Sequence, residues 1–175
     1  GIFNLEDIYW HFDDKFDVND LGYLRRNNTN WAGGRVEFRK QEPWGNFIKN
    51  NVEFKYKQEW RGDGLVLERE LEIKQSNLFN NYRTAGFFSK VSLPAYNDED
   101  IFRNEEAWAY KTELWGYAGP TFSTDRRKKL VLNAVIGSGY GKNKGWGYYA
   151  SLGAEIKPIE PLNIEIKAMQ DRGPT

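Results

Sequence analysis

Residues able to act as acids, bases or nucleophiles are few and scattered along this sequence. The only histidine, His11, lies between Trp10 and Phe12, on the polar side of an alternating segment. Imidazole can serve as a general base or metal ligand near neutral pH, but the sequence offers no evident nucleophile or catalytic partner for it. We therefore assign His11 a structural role, or a position facing a polar interior, and no catalytic role.

Glutamates are concentrated in one stretch of the chain, at Glu53, Glu59, Glu68, Glu70 and Glu72. Two carboxyl groups placed on either side of a glycosidic bond can hydrolyse it. In the hairpin described below, however, several of these glutamates face lysines, and opposite charges on facing strands form ion pairs. We therefore interpret them as structural ion-pair partners rather than as a glycosidase pair.

Three short clusters have the composition of ligand-binding loops without the matching context. Asp98, Glu99 and Asp100 offer oxygen ligands for Ca²⁺, but their spacing fits no calcium-binding motif, so we interpret them as a solvated acidic loop. The basic run 126–129 is typical of a charged turn at a membrane surface. The more specific alternative is that it binds lipopolysaccharide or anionic lipid. The glycine-rich segment 137–141 lacks the helix and the Lys-Ser/Thr pair of a phosphate loop.

The composition of the 175-residue chain argues against several classes of protein. Its 25 basic and 25 acidic residues balance, whereas nucleic-acid binders usually carry a basic excess. The absence of cysteine excludes disulfides and thiolate metal sites. No apolar run reaches the roughly 20 residues of a membrane helix, although aromatic residues make up 16% of the chain. We expect neither a cofactor nor a nucleic-acid partner.

The stretch that organises the chain is residues 48–74, where apolar and charged residues alternate on both sides of Gly62-Asp63. Such alternation is typical of strands with one apolar and one wet face, and a Gly-X pair suits a two-residue hairpin turn. The predicted register pairs apolar residues with apolar residues, Val52 with Ile73 and Phe54 with Leu71. It also pairs basic with acidic residues, Lys55 with Glu70 and Lys57 with Glu68. It leaves three mismatches, which are Glu53 with Glu72, Tyr56 with Arg69 and Glu59 with Val66.

The same alternation predicts seven further strands around this hairpin, at residues 8–16, 31–40, 84–93, 107–118, 130–140, 146–157 and 162–168. No helical periodicity is evident, so the predicted fold is all-β, an antiparallel up-and-down meander of about nine long strands. The last three strands pair apolar residues in their own predicted register: Leu130 with Ile156, Ala134 with Leu152, Ala154 with Ile164 and Leu152 with Ile166. No linker interrupts the pattern, so residues 1–175 are expected to form a single β-barrel region.

Alternation leaves open which solvent the apolar face meets. In a soluble barrel or sandwich the apolar face points inward and the charged face meets water. In an outer-membrane barrel the apolar face meets lipid and the charged face lines a wet lumen. Three features favour the membrane: strands of ten or more residues, a polar face dense in ion pairs and small residues, and aromatics near strand ends. The expected membrane-interface aromatics are Trp31, Trp44, Trp60, Trp108, Tyr140 and Trp146.

Two polar segments carry a family resemblance, Asn19-Asp20-Leu21-Gly22-Tyr23-Leu24-Arg25-Arg26-Asn27 and Thr121-Phe122-Ser123-Thr124-Asp125-Arg126-Arg127-Lys128. They resemble segments of an uncharacterised family of outer-membrane proteins from Bacteroidota. The resemblance covers most of the chain and implies an N-terminal carbohydrate-binding-like domain of the family 9 type, followed by a C-terminal outer-membrane β-barrel. This chain would supply part of that barrel. The family brings no established catalytic residues.

We therefore predict a fragment of a longer protein of the Gram-negative cell outer membrane, surrounded by lipid. Its expected role is non-catalytic transport, anchoring or assembly, with glycan handling as a linked function and other envelope proteins as partners. Bacterial barrels usually have an even strand count, so we expect the strands that complete the barrel outside this sequence. The sequence alone does not assign the long connections, near 17–30 and 94–106, to one side of the sheet. The alternative is a soluble β-barrel or β-sandwich that binds a glycan or other small ligand.

Overall fold

The computed structural model of the protein describes residues 1–13, 28–98, 109–159 and 162–172. These ranges contain eleven β-strands and no helix. The strands are β1 (Ile2–Phe12), β2 (Thr29–Lys40), β3 (Phe47–Arg61), β4 (Val66–Phe79), β5 (Thr84–Ser92), β6 (Ala95–Asn97), β7 (Tyr110–Thr112), β8 (Trp115–Ser123), β9 (Leu130–Gly141), β10 (Gly145–Ile159) and β11 (Leu162–Arg172). The prediction of an all-β fold is confirmed for these ranges.

Nine of the strands form one antiparallel sheet in the order β1-β2-β3-β4-β5-β8-β9-β10-β11, and β6 pairs with β7 separately. Each strand of the large sheet lies beside its sequence neighbours, apart from the β6–β7 insertion, so the predicted nine-strand meander is confirmed. Within the described ranges β1 and β11 do not contact each other, and the sheet has two open edges. The strand predicted at 107–118 was placed too early in the sequence. The corresponding strand of the large sheet, β8, begins at Trp115 and ends at Ser123.

The central hairpin keeps the predicted faces beyond its bulge but not the predicted register. Its turn holds three residues rather than two: the Arg61 N–H donates to the Leu65 carbonyl at 2.8 Å, and Gly64 has a φ of +87°. A β-bulge at Glu59 adds one further residue, so the strands shift by two positions in total. Because two is the side-chain period of a strand, residues beyond the bulge, such as Leu71 and Ile73, stay on the predicted face. Before the bulge the shift is one residue, so Val66, predicted on the charged face, lies opposite Trp60 on the apolar face.

The shifted register removes two of the three mismatches left by the predicted one. Glu53 now lies opposite Lys74, and Tyr56 lies opposite Leu71. The two-residue turn was therefore wrong, and so were the individual pairs derived from it. The energetic principle behind them holds, since the observed register pairs charges and apolar groups better than the predicted one.

The final three strands show one correct and one incorrect register. The β9–β10 pairs, such as Leu130 with Ile156 and Ala134 with Leu152, are confirmed. The β10–β11 pairs differ by two residues, since Ile166 lies opposite Ala154. The difference arises because β10 continues through Pro158 to Ile159 instead of ending before the proline, with a register irregularity that absorbs it.

The sheet shields several carboxylates of its polar face and exposes the side chains of its apolar face. Glu37 is only 2% exposed, and Glu53 and Glu70 are also buried. On the other face Leu152 is 65% exposed, and Leu132 and Ile136 are similarly open. Among the described residues the buried hydrophobic side chains are Leu67, Ala95 and Val131. The described part of the chain thus has almost no apolar core of its own.

The two ends of the large sheet differ in the length of their connections. Because all neighbouring strands are antiparallel, connections alternate between the ends. Both long connections, 13–28 and 93–114, lie at one end, here called the loop end, together with the tight turns 62–65 and 142–144. The opposite end, here called the turn end, carries the short connections 41–46, 80–83, 124–129 and 160–161. The long connections therefore do share one side.

Candidate functional site

Arg35 is the centre of an ion-pair network on the polar face of β1 to β3. Its guanidinium contacts the carboxylates of Glu53 at 2.7 Å, Glu37 at 3.2 Å and Glu6 at 3.4 Å. Glu37 also accepts a hydrogen bond from Nε of Arg39 at 2.6 Å. Each buried carboxylate in this network thus has a cationic partner, which offsets the cost of removing it from water.

The network continues across β3 to β5 through two lysines. The Lys57 ammonium lies 2.7 Å from Glu68 and 3.9 Å from Glu70. The Lys90 ammonium lies 2.7 Å from Glu70 and 3.8 Å from Glu72. Among the glutamates considered above as a glycosidase pair, ion pairs with lysine or arginine hold Glu53, Glu68, Glu70 and Glu72. The register places Glu59 opposite Glu68, next to the bulge.

The polar face is concave near the turn end. A cavity of about 640 Å³ there is lined by side chains from β2 to β5 together with the 124–129 turn. Its lining includes Glu37, Arg39 and Asn51 on the strands and Arg127 on the turn. Since residues from four consecutive strands and a more distant turn border one space, the sheet curves around its charged side.

The basic run 126–129 is anchored by its own turn. The Arg127 guanidinium donates from Nη2 to Asp125 at 2.8 Å and lies 3.0 Å from the centre of the Tyr82 ring. The side-chain hydrogen bond from Arg127 is the main cause that lowers the pKa of Asp125 to about 2. One of the four basic residues is therefore held against its neighbours as part of the turn structure.

The apolar face forms a continuous exposed surface across the sheet. Its exposed side chains include Leu5, Phe38, Phe54, Leu71, Ile73, Phe87, Phe122, Leu132, Ile136, Leu152, Ile156, Ile164 and Ile166. Soluble monomers rarely expose apolar patches of this extent, and such surfaces mark contacts with a membrane or a partner. This face is therefore a candidate functional surface.

The residues expected at a membrane interface occupy different places. Trp60, Tyr140 and Trp146 lie on the apolar face at the loop end, and the rings of Tyr140 and Trp146 are 5.2 Å apart. Trp44 is exposed at the turn end, where Lys40 lies 5.0 Å from its ring. Trp31 lies on the polar face, with its ring over Gly33. Trp108 falls outside the described residues.

The face assigned to His11 by the sequence pattern was wrong. The β1–β2 register places Ile8 and Trp10 on the side of Arg35, and it places Tyr9 and His11 on the apolar side. There the Asn30 Oδ1 lies 2.9 Å from His11 Nδ1 and accepts a hydrogen bond from Tyr9 at 2.7 Å. The pattern misled because both sides of β1 carry large apolar residues, so alternation alone could not orient it.

The acidic trio at 98–100 falls largely outside the described residues, which include only Asp98. That carboxylate is buried and lies 3.5 Å from Nη1 of Arg61. In the described part of the chain no three His, Cys, Asp or Glu side chains come together as a metal site would require.

A second candidate site, here called the aromatic trough, lies on the polar face towards the loop end. It is a cavity of about 820 Å³ bordered by Phe88, Trp115, Tyr117 and Tyr149. Its floor is glycine-rich, with Gly137, Gly139, Gly141 and Gly147 on β9 and β10. Sequence reasoning noted small residues on this face but missed the trough. The available signal was two aromatics spaced two apart on β8 opposite alternating glycines on β9.

The described strands define an all-β antiparallel meander whose polar face shields several carboxylates and whose apolar face is exposed. No helix in the described ranges is long and apolar enough to cross a membrane. Residues 3–170 match the family described as "Domain of unknown function (DUF5916)", and the chain belongs to that family. A comparison with curated proteins found no match, and neither did a comparison with solved structures.

Proposed function

We propose that this chain forms part of a β-barrel in the outer membrane of a Gram-negative bacterium and has a non-catalytic role in transport, anchoring or assembly. The observation that supports this most is the inverted burial of the sheet. Glu37 and Glu70 are shielded while Leu152 and Ile136 are open. A soluble barrel or sandwich requires the opposite arrangement, with the apolar face in its core.

Strand length supports the same proposal. β2 and β9 have 12 residues each, and β3 and β10 have 15. A 12-residue strand extends about 40 Å, which at a tilt of 45° covers roughly 28 Å, close to the hydrocarbon thickness of a bilayer. Shorter strands would suffice for a globular sheet.

The distribution of connections supports an orientation for this barrel. Outer-membrane barrels carry longer loops outside the cell and short turns in the periplasm. The loop end, with connections 13–28 and 93–114, would therefore face outward, and the turn end would face the periplasm. Trp60 and Tyr140 would then lie near the outer interface, and Trp44 would lie near the inner one.

The open edges of the sheet indicate what the barrel still needs. β1 and β11 each have one neighbour, and unpaired strand edges do not occur in the hydrocarbon region. Further strands, from a longer chain or from a second protein, would have to pair with both edges. In the arrangement implied by the family resemblance, a carbohydrate-binding-like domain would precede the barrel, which links the proposal to glycan handling.

Membrane fractionation of the full-length protein tests this proposal. We expect the protein to sediment with outer membranes, to resist washing with salt and alkali, and to be released by detergent. An established outer-membrane porin and a periplasmic protein provide the two reference behaviours. A protein that is soluble and monomeric without detergent would refute the proposal.

A further inference from the structure

We propose that the aromatic trough binds a neutral saccharide chain. The trough lies on the polar face, and its walls are aromatic side chains that remain partly open. The rings of Trp115 and Tyr117 are nearly parallel, at 15° and 5.6 Å between centroids, and they are 38% and 40% exposed. Phe88 extends the row, with its ring 5.8 Å from that of Tyr117. A row of three partly exposed aromatic rings thus forms one wall of the trough.

The glycine floor gives the trough its depth. A Cβ atom at Gly139 would approach the Tyr117 Cβ to 3.0 Å, and one at Gly137 would approach the Phe88 ring to 3.0 Å. Larger residues on β9 would therefore displace the rings or fill the space beside them. The glycines therefore leave open the space beside the aromatic side chains, where a ligand can lie.

The chemistry of the lining favours a sugar over other ligands. A saccharide combines flat C–H surfaces, which stack on aromatic rings, with hydroxyl groups that form hydrogen bonds around its edge. Polar groups at the border of the trough can serve those hydroxyls: Tyr149, Lys144 and Asp171. These border residues include both charge signs, so the trough suits a neutral ligand better than a strongly ionic one.

The size and position of the trough fit the same occupant. A volume of about 820 Å³ lies within the usual range for ligand pockets, about 300–1,000 Å³. Trp115 and Gly141 sit at the loop end, while Phe88 lies further along the sheet. The site therefore opens where solutes would enter a lumen. The inference rests on the proposed function only for this location at the mouth of a lumen. The trough itself is formed by the sheet, whatever surrounds the sheet.

Binding of oligosaccharide probes by the full-length protein tests the inference. The probes are maltohexaose, cellohexaose, laminarihexaose and mannohexaose, measured by titration calorimetry in whichever form, detergent-solubilised or soluble, the protein is isolated. We expect at least one probe to bind and Trp115→Ala to weaken it about tenfold, the effect of losing one stacked ring. Trp115→Phe should retain most of the affinity.

A matched control uses a tryptophan on the other side of the sheet. Trp146→Ala removes an indole that is 72% exposed on the apolar face and should leave affinity within about twofold. Near-ultraviolet circular dichroism checks that each variant keeps its tertiary structure. Failure of all four probes to bind overturns the inference, as does equal weakening by the Trp115 and Trp146 variants. Because binding is measured in either form, a soluble protein that binds sugar would refute the proposed membrane location alone.

Discussion

Replacing Lys90 with methionine should destabilise the sheet through the polar face. The change keeps the volume of the side chain and removes the ammonium that lies 2.7 Å from Glu70 and 3.8 Å from Glu72. Glu70 would retain a hydrogen bond from Ser92 at 3.1 Å and a more distant contact with Lys57 at 3.9 Å. A mostly buried carboxylate would therefore lose its nearest cation.

The expected loss follows from the burial of the pair. Exposed ion pairs contribute roughly 0–1 kcal/mol, and removal of one partner from a fully buried pair costs about 3–5 kcal/mol. Glu70 and Lys90 are mostly but not fully buried, with side-chain exposures of 11% and 23%. The remaining contacts of Glu70 reduce the loss further. We expect Lys90→Met to lower the free energy of unfolding by about 1–3 kcal/mol.

Denaturant unfolding followed by tryptophan fluorescence, in detergent micelles or bilayers, measures this loss. Lys90→Arg is the conservative control and should stay close to the wild type. The Lys90→Met/Glu70→Gln double variant should recover part of the stability, because no unpaired carboxylate remains. A Lys90→Met variant as stable as the wild type, or a double-mutant cycle with no coupling between the two positions, would refute this account of the polar face.

The remaining predictions concern a turn, the trough and the apolar face. Arg127 lowers the pKa of Asp125 to about 2, below the unfolded value of about 3.9. The contribution of this pair to folding stability is therefore complete above about pH 4 and is lost as the pH falls towards about 2. NMR titration of Asp125 checks this, and a midpoint near 4 would contradict it. Gly139→Ala should lower the free energy of unfolding by about 1–3 kcal/mol, because its Cβ would lie 2.8 Å from the Gly116 carbonyl oxygen. Gly153→Ala should be tolerated, because the nearest atom to its Cβ is 3.8 Å away. Identical denaturant unfolding curves for the two variants would refute this packing argument. Leu152→Lys should cost about 2–4 kcal/mol in a bilayer, and a neutral result would indicate that this side chain meets water.

The sequence predicts which residues share a face far better than which residues pair. Alternation assigns the faces of β3, and of β4 from Glu68 to Ile73, correctly. It could not reveal the three-residue turn that ends at Gly64, or the bulge at Glu59, because both depend on hydrogen bonds that no side-chain pattern records. In β1 the face itself was predicted wrongly. Large apolar residues occur on both sides of this strand, so the pattern assigned His11 to the polar face although it lies on the apolar one.

The candidate sites were predictable to different degrees. The ion pairs of Lys57 and Glu70 follow from charge alternation, although the exact partners depend on the register. The aromatic trough was not predicted, because it requires β5, β8, β9 and β10 to lie side by side. Trp115 and Gly139 come from different strands, and only the register brings the aromatic row over the glycines.

The most direct test of the account asks which solvent surrounds the apolar face. The chain contains no cysteine, so single variants Leu152→Cys and Gly153→Cys can each carry one bimane label. These neighbours occupy opposite faces of β10. In proteoliposomes containing brominated lipid, we predict strong quenching of the label at position 152 and little quenching at position 153. Equal quenching at both positions, or quenching at position 153 alone, would contradict a lipid-facing apolar surface.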